Sequence, residues 1–218
     1  MSEPLLASTF LFRFAVPCHY RETLWTPVGT RLPAENVLPC FGELEGKQLF
    51  ADLRVAWNET GLVFDLLVVN KTKTVWCRPN RLLDSDGLQV LIDTRNEHDV
   101  HRATRFCHYF FFLPQGGGRS STDPLATLQP IQRAKEHPKS ITDKQLRIES
   151  EIRPNGYALR CLIPADALTG FDPDEHPRLG FSYAVVDREL GWQTFTVGPE
   201  FPFREDPSLW GTLELLRP

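Results

Sequence analysis

One short segment of the sequence holds four side chains that could ligate a metal or act in catalysis: His98, His101, Cys107 and His108. Imidazole nitrogen and thiolate sulfur are ligands that zinc and related transition metals take. His98 and His101 are spaced H-x-x-H in a predicted loop, without the glutamate and the helical i, i+4 spacing of a zinc protease. Cys107 and His108 are neighbours in a segment with strand periodicity, so their side chains point to opposite faces. We therefore expect a polar connection over residues 96–105 and no tightly held transition metal.

The segment that precedes these histidines carries planar and acidic side chains. Gln89 and Arg95 lie in and just after the predicted strand DGLQVLID, and a planar amide and a guanidinium can each reach two hydroxyl oxygens. Asp84, Asp86 and Asp93 offer the hard oxygen ligands that calcium takes. Their spacing matches no EF-hand loop, and a carboxylate at a strand end commonly caps a turn. Calcium binding and turn capping both stay open for these three residues.

The elements that must position these side chains are mainly strands. Apolar and polar residues alternate with period two at short intervals, and no stretch keeps helical periodicity for three turns. Two hairpins are predicted, over residues 51–70 with turn residues from Asn58 to Gly61, and over residues 146–164 with a Pro-Asn-Gly turn. Further strands are predicted in six segments: TFLFRF, DGLQVLID, RFCHYFFFLP, RLGFSYAVVD, GWQTFTV and GTLELL.

Turn and helix signals complete the architecture. One short helix is predicted in PADALTGF, with Pro164 near its start and Gly170 just past its end. Residues 114–144 contain three consecutive glycines and scattered proline, serine and threonine, and are predicted as a long mobile loop. About ten short strands with turns between them predict an all-β fold, an antiparallel β-sandwich of the jelly-roll type, in one domain over residues 1–218. His108 alternates with phenylalanines along such a strand, so we expect a hydrogen-bonded core histidine.

Length and charge restrict the class of protein. The chain has 218 residues and a formal net charge of −4, with both signs scattered along it. That argues against a nucleic-acid partner, because phosphate binding needs a basic stripe. Arg13 interrupts the apolar run near the N-terminus, which has no basic start or cleavage site, so we expect neither a signal peptide nor a membrane span. The five cysteines are widely spaced, which predicts reduced thiols in a cytoplasmic protein. Export stays open, because a leader could precede this sequence.

Several segments follow one another in the order of a known family's motifs. VAWNETGLVFDLLVVN, DSDGLQVLIDTR and YFFFLPQGGG correspond to a strand pair, a D-[DS]-x-[VL]-[EQ]-[VIL]-x-[IL]-D strand and the strand after it. ALRCLIPADALTGFDPDEHPRLGFSYAVVDRE and DPSLWGTLELL correspond to a short helix, a strand that begins G-F, and a closing W-G-x-L-x-L strand. Together, over about residues 50–216, they resemble the family 9 carbohydrate-binding modules and their DOMON-like relatives. The resemblance implies a β-sandwich that binds a glycan, structural calcium in many members, and no catalysis by the domain.

Tryptophans are the first candidates for sugar contacts, because a flat indole face matches the C–H face of a pyranose. Trp76 and Trp192 fall in the two loops that supply the ligand-clamping tryptophans of the family, so the resemblance implies that they bind saccharide. Either ring could instead cover the core as a lid. Trp57 and Trp210 lie in strand motifs and are predicted to be core residues. Trp25 lies outside the resemblance, and its role stays open.

Three hypotheses about function follow. The leading one is a non-catalytic carbohydrate-binding domain in which Trp76 and Trp192 stack on a saccharide while Gln89 and Arg95 make polar contacts. The second is an interaction or structural domain on the same scaffold, with a protein as its partner. The third is a metal-dependent enzyme that uses the histidine loop.

Overall fold

The computed structural model describes residues 12–28, 30–46 and 48–217. Eleven β-strands form within these residues, all in one hydrogen-bonded sheet. The strands are β1 (Ala15–Tyr20), β2 (Ala51–Asn58), β3 (Gly61–Val68), β4 (Gly87–Asp93), β5 (Cys107–Gly117), β6 (Asp123–Gln129), β7 (Arg147–Arg153), β8 (Gly156–Pro164), β9 (Arg178–Asp187), β10 (Gly191–Thr194) and β11 (Gly211–Leu216). The predicted strand TFLFRF lies largely outside the described residues.

Helical structure in the described part of the chain is limited to short 3-10 turns. These turns are Ala34–Asn36, Phe41–Glu45, Leu82–Asp84, Asp143–Gln145, Ala165–Ala167 and Pro207–Leu209. The turn at Ala165–Ala167 corresponds to the short helix predicted in PADALTGF. None of the helices in these ranges is long or apolar enough to cross a bilayer. The predicted all-β class is confirmed.

The sheet curls on itself to enclose its core. Neighbouring strands follow the order β6-β5-β4-β9-β11-β1-β2-β3-β8-β7, and β10 pairs with β9. Most pairs are antiparallel, while β1 runs parallel to both β11 and β2. At the far end of the sheet, β7 and β8 come into contact with β5 and β6. The main hydrophobic core lies between the two halves, which is the predicted β-sandwich.

The hairpin of β2 and β3 shows how the alternating pattern builds this core. Trp57 of β2 pairs with Leu62 of β3, and both side chains are buried in the main core. Apolar residues two positions apart share one face of a strand, so burial of that face sets the register. The turn ends at Gly61, where φ is +141° and a Cβ would lie only 2.2 Å from the carbonyl oxygen of Ile163. Glycine is therefore required at this position.

The predicted loop over residues 114–144 is wrong in part. Strand β5 continues to Gly117, and β6 (Asp123–Gln129) returns beside it and packs Ala126 against the main core. A Cβ on Gly117 would lie 2.5 Å from the carbonyl oxygen of Pro124. The glycines thus permit a close approach of two paired strands, whereas the sequence pattern had suggested a flexible connection.

Strands β4 and β5 are buried on both faces. One face joins the main core through Leu88, Val90, Ile92, Phe110 and Phe112. The opposite face carries Gln89, Leu91, Tyr109 and Phe111. The apolar members of this second face belong to a separate hydrophobic cluster with Val186, Phe203 and Trp210, against which Trp192 packs. This second face positions the candidate site.

Two tryptophans and all five cysteines are interior residues. Trp57 and Trp210 are buried, and their Nε1–H groups donate to the carbonyl oxygens of Leu216 and Phe203 at 3.2 Å and 2.6 Å. The predicted core role of both tryptophans is confirmed. All five cysteines carry thiols and are buried, and burial raises the pKa of the Cys77 thiol to about 12.

Candidate ligand-binding site

A cleft of 680 Å³, here named the large cleft, opens on the second face of β4 and β5. Its floor is formed by the rings of Tyr109 and Phe111, whose centroids are 4.4 Å apart with 42° between their planes. Polar side chains stand around this floor, among them Asn80, Arg81, Asp84, Gln129, Arg204 and Glu205. An aromatic floor with hydrogen-bonding walls is the usual composition of a small-molecule site.

Gln89 lies beneath the floor of the large cleft. Its amide is buried, accepts the O–H of Tyr109 through Oε1 at 2.5 Å, and donates Nε2–H to the carbonyl oxygen of Leu83 at 3.3 Å. Burial raises the pKa of Tyr109, while the nearby Arg204 guanidinium opposes this shift. The phenol therefore stays neutral and keeps donating. Gln89 orients an aromatic ring of the floor, so its effect on a ligand in the cleft passes through Tyr109.

A second depression of 370 Å³, here named the small cleft, adjoins the large cleft at Arg81 and Asp84, which line both. Trp192 of β10 and Arg188 line its other side. The guanidinium carbon of Arg204 lies 5.3 Å from the Trp192 ring centre. Trp192 is half-buried, so one part of the indole packs on the protein while the rest remains available at the cleft.

Trp76 borders the same region behind a set of arginines. The guanidinium carbons of Arg188, Arg78 and Arg81 lie 4.1, 5.5 and 5.9 Å from its ring centre. Two of these arginines line the small cleft. Cation–π contacts of this kind hold a guanidinium in place while its N–H groups remain able to donate. The structure thus brings Trp76, from a loop, and Trp192, from β10, to one region, with arginines between the Trp76 ring and the cleft.

A buried ion-pair cluster lies beneath the loop that carries Trp76 and the turn that leads to Trp192 in β10. Lys71 is 4% exposed, and its Nζ lies 2.9 Å from Asp187 Oδ1, 3.0 Å from Asp86 Oδ2 and 3.8 Å from Glu189 Oε2. These four residues are named the Lys71 cluster. Burial by itself lowers the pKa of the ammonium, but the hydrogen bonds and charges of the two aspartates outweigh burial and raise that pKa. Lys71 is therefore a permanent buried cation.

The carboxylates of the Lys71 cluster also bind the backbone of both loops. Asp86 accepts the N–H of Trp76 at 2.9 Å through Oδ2 and the N–H of Arg188 at 2.8 Å through Oδ1. Asp187 accepts the N–H of Glu189 at 2.9 Å in the turn that leads into β10. The cluster therefore sets the position of the Trp76 backbone and of the turn that precedes Trp192.

The three aspartates predicted as calcium ligands do not converge. Asp84 pairs with an arginine at the surface at 2.6 Å, Asp86 belongs to the Lys71 cluster, and Asp93 caps the turn at the opposite end of β4 with two backbone N–H groups. Calcium takes six to eight oxygens at about 2.3–2.6 Å. Across residues 12–28, 30–46 and 48–217, no three acidic, histidine or cysteine side chains are grouped to hold a metal. The predicted set does not fit calcium.

Arg95 lies at the end of β4 that is remote from the tryptophans. Its Nη1 donates to the carbonyl oxygen of Gly170 at 2.7 Å. This bond ties the loop after β4 to the turn before β9. The structure therefore brings Gln89, Trp76 and Trp192 into one region and leaves Arg95 outside it.

His108 is a core residue, as expected from its alternation with phenylalanines. It is fully buried and stacks on Phe110 with 5.9 Å between ring centroids. The N–H of Thr169 donates to His108 Nε2 at 2.8 Å, so the ring proton is on Nδ1, which faces the Ile92 carbonyl oxygen at 3.4 Å. Burial lowers the pKa of His108 to about 4. A neutral histidine with both nitrogens engaged is not a metal ligand in this state.

His98 and His101 point to different partners. His98 Nε2 contacts Thr212 Oγ1 at 3.2 Å. His101 Nδ1 lies 3.1 Å from both Asp206 Oδ2 and Ser208 Oγ. A serine–histidine–aspartate triad needs the serine and the aspartate on opposite ring nitrogens, whereas both partners here meet the same nitrogen. The arrangement gives no activated nucleophile.

The residues that sequence reasoning missed include Tyr109, Phe111, Lys71, Arg81, Arg188 and Arg204. The alternation in CHYFFFLP did indicate that Tyr109 and Phe111 share one face, but both faces of this strand are apolar. Lys71 carried a weaker signal, a lysine between a strand and a predicted loop. Arg204 lies in a segment with no pattern of its own.

No protein-family model and no curated protein matches this chain. Among the solved structures that share its fold are two of a family 9 carbohydrate-binding module from Caldicellulosiruptor kristjanssonii. The complex with cellotriose has a TM-score of 0.62 at 12% identity, over 93% of this chain and 93% of that chain. The complex with glucose has a TM-score of 0.58 at 9% identity, over 93% of this chain and 96% of the other. The chain thus has the fold of these modules, as its segment order had suggested.

Proposed function

We propose that this chain is a non-catalytic carbohydrate-binding module that holds a saccharide across the large and small clefts. The observation that carries the proposal is the aromatic floor of Tyr109 and Phe111 beside Trp192, with amide and guanidinium groups around it. Pyranose rings have apolar C–H faces and hydroxyl groups around the ring edge, so they suit a surface that combines aromatic rings with hydrogen-bonding side chains.

The volume of the large cleft supports a ligand of a few sugar rings. Small-molecule sites commonly measure about 300–1,000 Å³, and the large cleft alone has 680 Å³. The two clefts adjoin, so one oligosaccharide can run from the floor of the large cleft to Trp192. The solved modules of the same fold carry cellotriose or glucose, which supports a saccharide as the ligand class.

Each side chain has a distinct role in this proposal. Trp192 stacks on one sugar face, and Trp76 holds the guanidinium of Arg188 in place beside it in the small cleft. Arg188 and Arg81 donate to ring hydroxyls, because neither guanidinium uses all of its five N–H groups within the described structure. Gln89 acts through Tyr109, which it orients.

Saccharide binding by the purified protein tests this proposal. A glycan array identifies the ligand, and isothermal titration calorimetry then compares wild type with Trp192→Ala. We expect Trp192→Ala to weaken binding by about 2 kcal/mol, or roughly thirtyfold, because an anchor aromatic is lost. Trp25→Ala is the matched control, since Trp25 is also half-buried with an arginine 4.1 Å from its ring centre, but lies outside both clefts.

Two results would contradict the proposal. Binding to no member of a broad glycan array would remove the function itself. Equal affinities of Trp192→Ala and Trp25→Ala would show that the saccharide binds elsewhere on the molecule.

A further inference from the structure

The Lys71 cluster resembles a metal site in which the ammonium group of Lys71 occupies the position of the metal ion. Its central charge is the ammonium of Lys71, which is almost fully buried between the carboxylates of Asp86 and Asp187. The nitrogen–oxygen distances are 2.9 and 3.0 Å, the lengths of charge-assisted hydrogen bonds and longer than the roughly 2.3–2.6 Å of calcium–oxygen contacts. The spacing of the carboxylate oxygens therefore suits an ammonium.

The cluster connects three separate parts of the chain. Lys71 comes from the segment after β3, Asp86 precedes β4, and Asp187 ends β9. Asp86, which pairs with Lys71, accepts the backbone N–H groups of Trp76 and Arg188. Asp187, which also pairs with Lys71, accepts a backbone N–H in the turn before β10. A divalent metal that crosslinks loops in a binding protein performs the same task.

We propose that Lys71 replaces a structural divalent cation, so that its ammonium positions the Trp76 loop and the turn before Trp192 without a metal. The expected effect of Lys71 on saccharide affinity rests on the proposed function, whereas its expected effect on stability does not. Lys71 is a positioning residue, because it lines neither cleft itself and reaches the small cleft only through its partner Asp187. Removal of the ammonium leaves two buried carboxylates facing each other, which supply part of the oxygen ligands that calcium takes, and water supplies the rest.

The test compares wild type, Lys71→Ala and Lys73→Ala in excess calcium and in EDTA. Lys73 is the matched control, because it is an exposed lysine two residues away. We expect wild type and Lys73→Ala to have melting temperatures that neither calcium nor EDTA changes. We expect Lys71→Ala to melt about 10 °C lower in EDTA, since its two aspartates lose their cation, and to recover much of this loss in calcium. Magnesium, which dehydrates reluctantly and demands a stricter geometry, should restore less.

Saccharide affinity gives a second measurement. In EDTA the loops of Lys71→Ala lose their arrangement, so we expect an affinity lower by about tenfold or more, since only the competent fraction binds. Calcium should restore that affinity in the variant and leave the wild-type affinity unchanged. A purely structural role of Lys71 would not make affinity depend on calcium in the variant alone.

Three outcomes overturn the inference: a wild-type melting temperature that falls in EDTA, a Lys71→Ala variant that melts like Lys73→Ala, or one that calcium does not stabilise. Should Lys71→Ala fail to fold, refolding from urea decides, because folding only with calcium supports the inference and folding in neither condition refutes it. If wild type binds no saccharide, the proposed function fails, while the melting temperatures still decide the role of Lys71.

Discussion

Truncation of Trp57 measures how strongly the main core depends on its largest side chain. Trp57 is 0% exposed, lies edge-on to Tyr20 at 5.5 Å, and donates to the carbonyl oxygen of Leu216 at 3.2 Å. Trp57→Ala loses the buried ring and leaves a cavity, which costs about 3–5 kcal/mol. The carbonyl that loses its donor adds about 1 kcal/mol. The expected loss of about 4–6 kcal/mol is a large share of the roughly 5–15 kcal/mol that folds a domain.

Trp192→Ala is the comparison that separates a core ring from a cleft ring. Trp192 is half-buried and borders open space on the side of the small cleft. Removal of a side chain from such a place opens a depression to solvent and creates little closed cavity. We expect a loss of about 1 kcal/mol in the free energy of unfolding.

Urea unfolding followed by far-UV circular dichroism measures both variants, because tryptophan fluorescence would change with the loss of a fluorophore. Equal m-values would show that the transitions expose the same surface and that the free energies can be compared. If Trp192→Ala loses as much stability as Trp57→Ala, Trp192 is a core residue and the saccharide proposal loses its main physical support. A loss under about 1 kcal/mol for Trp57→Ala would instead refute the cavity argument.

Three further predictions concern buried polar groups. Tyr109→Phe leaves the buried Gln89 Oε1 without its donor, so we expect urea unfolding to show a loss of about 1–3 kcal/mol, and an unchanged stability would mean that another group supplies the donor. His108 has a folded pKa of about 4 against an ordinary value of 6.5, so the unfolded chain binds the extra proton and stability falls as pH drops from 6.5 towards 4. His108→Gln should flatten that fall, which amounts to about 3 kcal/mol, and a slope identical to wild type would refute the assignment. Burial raises the pKa of the Cys77 and Cys107 thiols to about 12, so a thiol reagent at pH 8 should react slowly with native protein and count all five cysteines in denaturant, whereas three or fewer would reveal a disulfide.

The strands were predictable wherever a local pattern matched a structural period. Residues 178–187 and 211–216 are strands over the predicted segments, because period-two alternation and flanking turn residues act over a few neighbouring positions. The same reasoning did not predict strand β6. The glycines before it indicate a loop when they are read locally, and only the close approach of Gly117 to Pro124 explains why they are needed.

The candidate site depended far more on tertiary structure. The resemblance implied that Trp76 and Trp192 lie in loops, whereas Trp192 belongs to β10. The alternation indicated that Gln89 faces away from Val90, but both faces of β4 are buried, so alternation does not tell which face becomes a cleft floor. The Lys71 cluster joins residues 71, 86 and 187, and no local pattern relates positions so far apart in the chain. Pairing of β4 with β9 brings Asp187 beside Asp86, and the curled sheet brings Lys71, which follows β3, to both aspartates. Burial then requires each carboxylate to meet a cation or an N–H group.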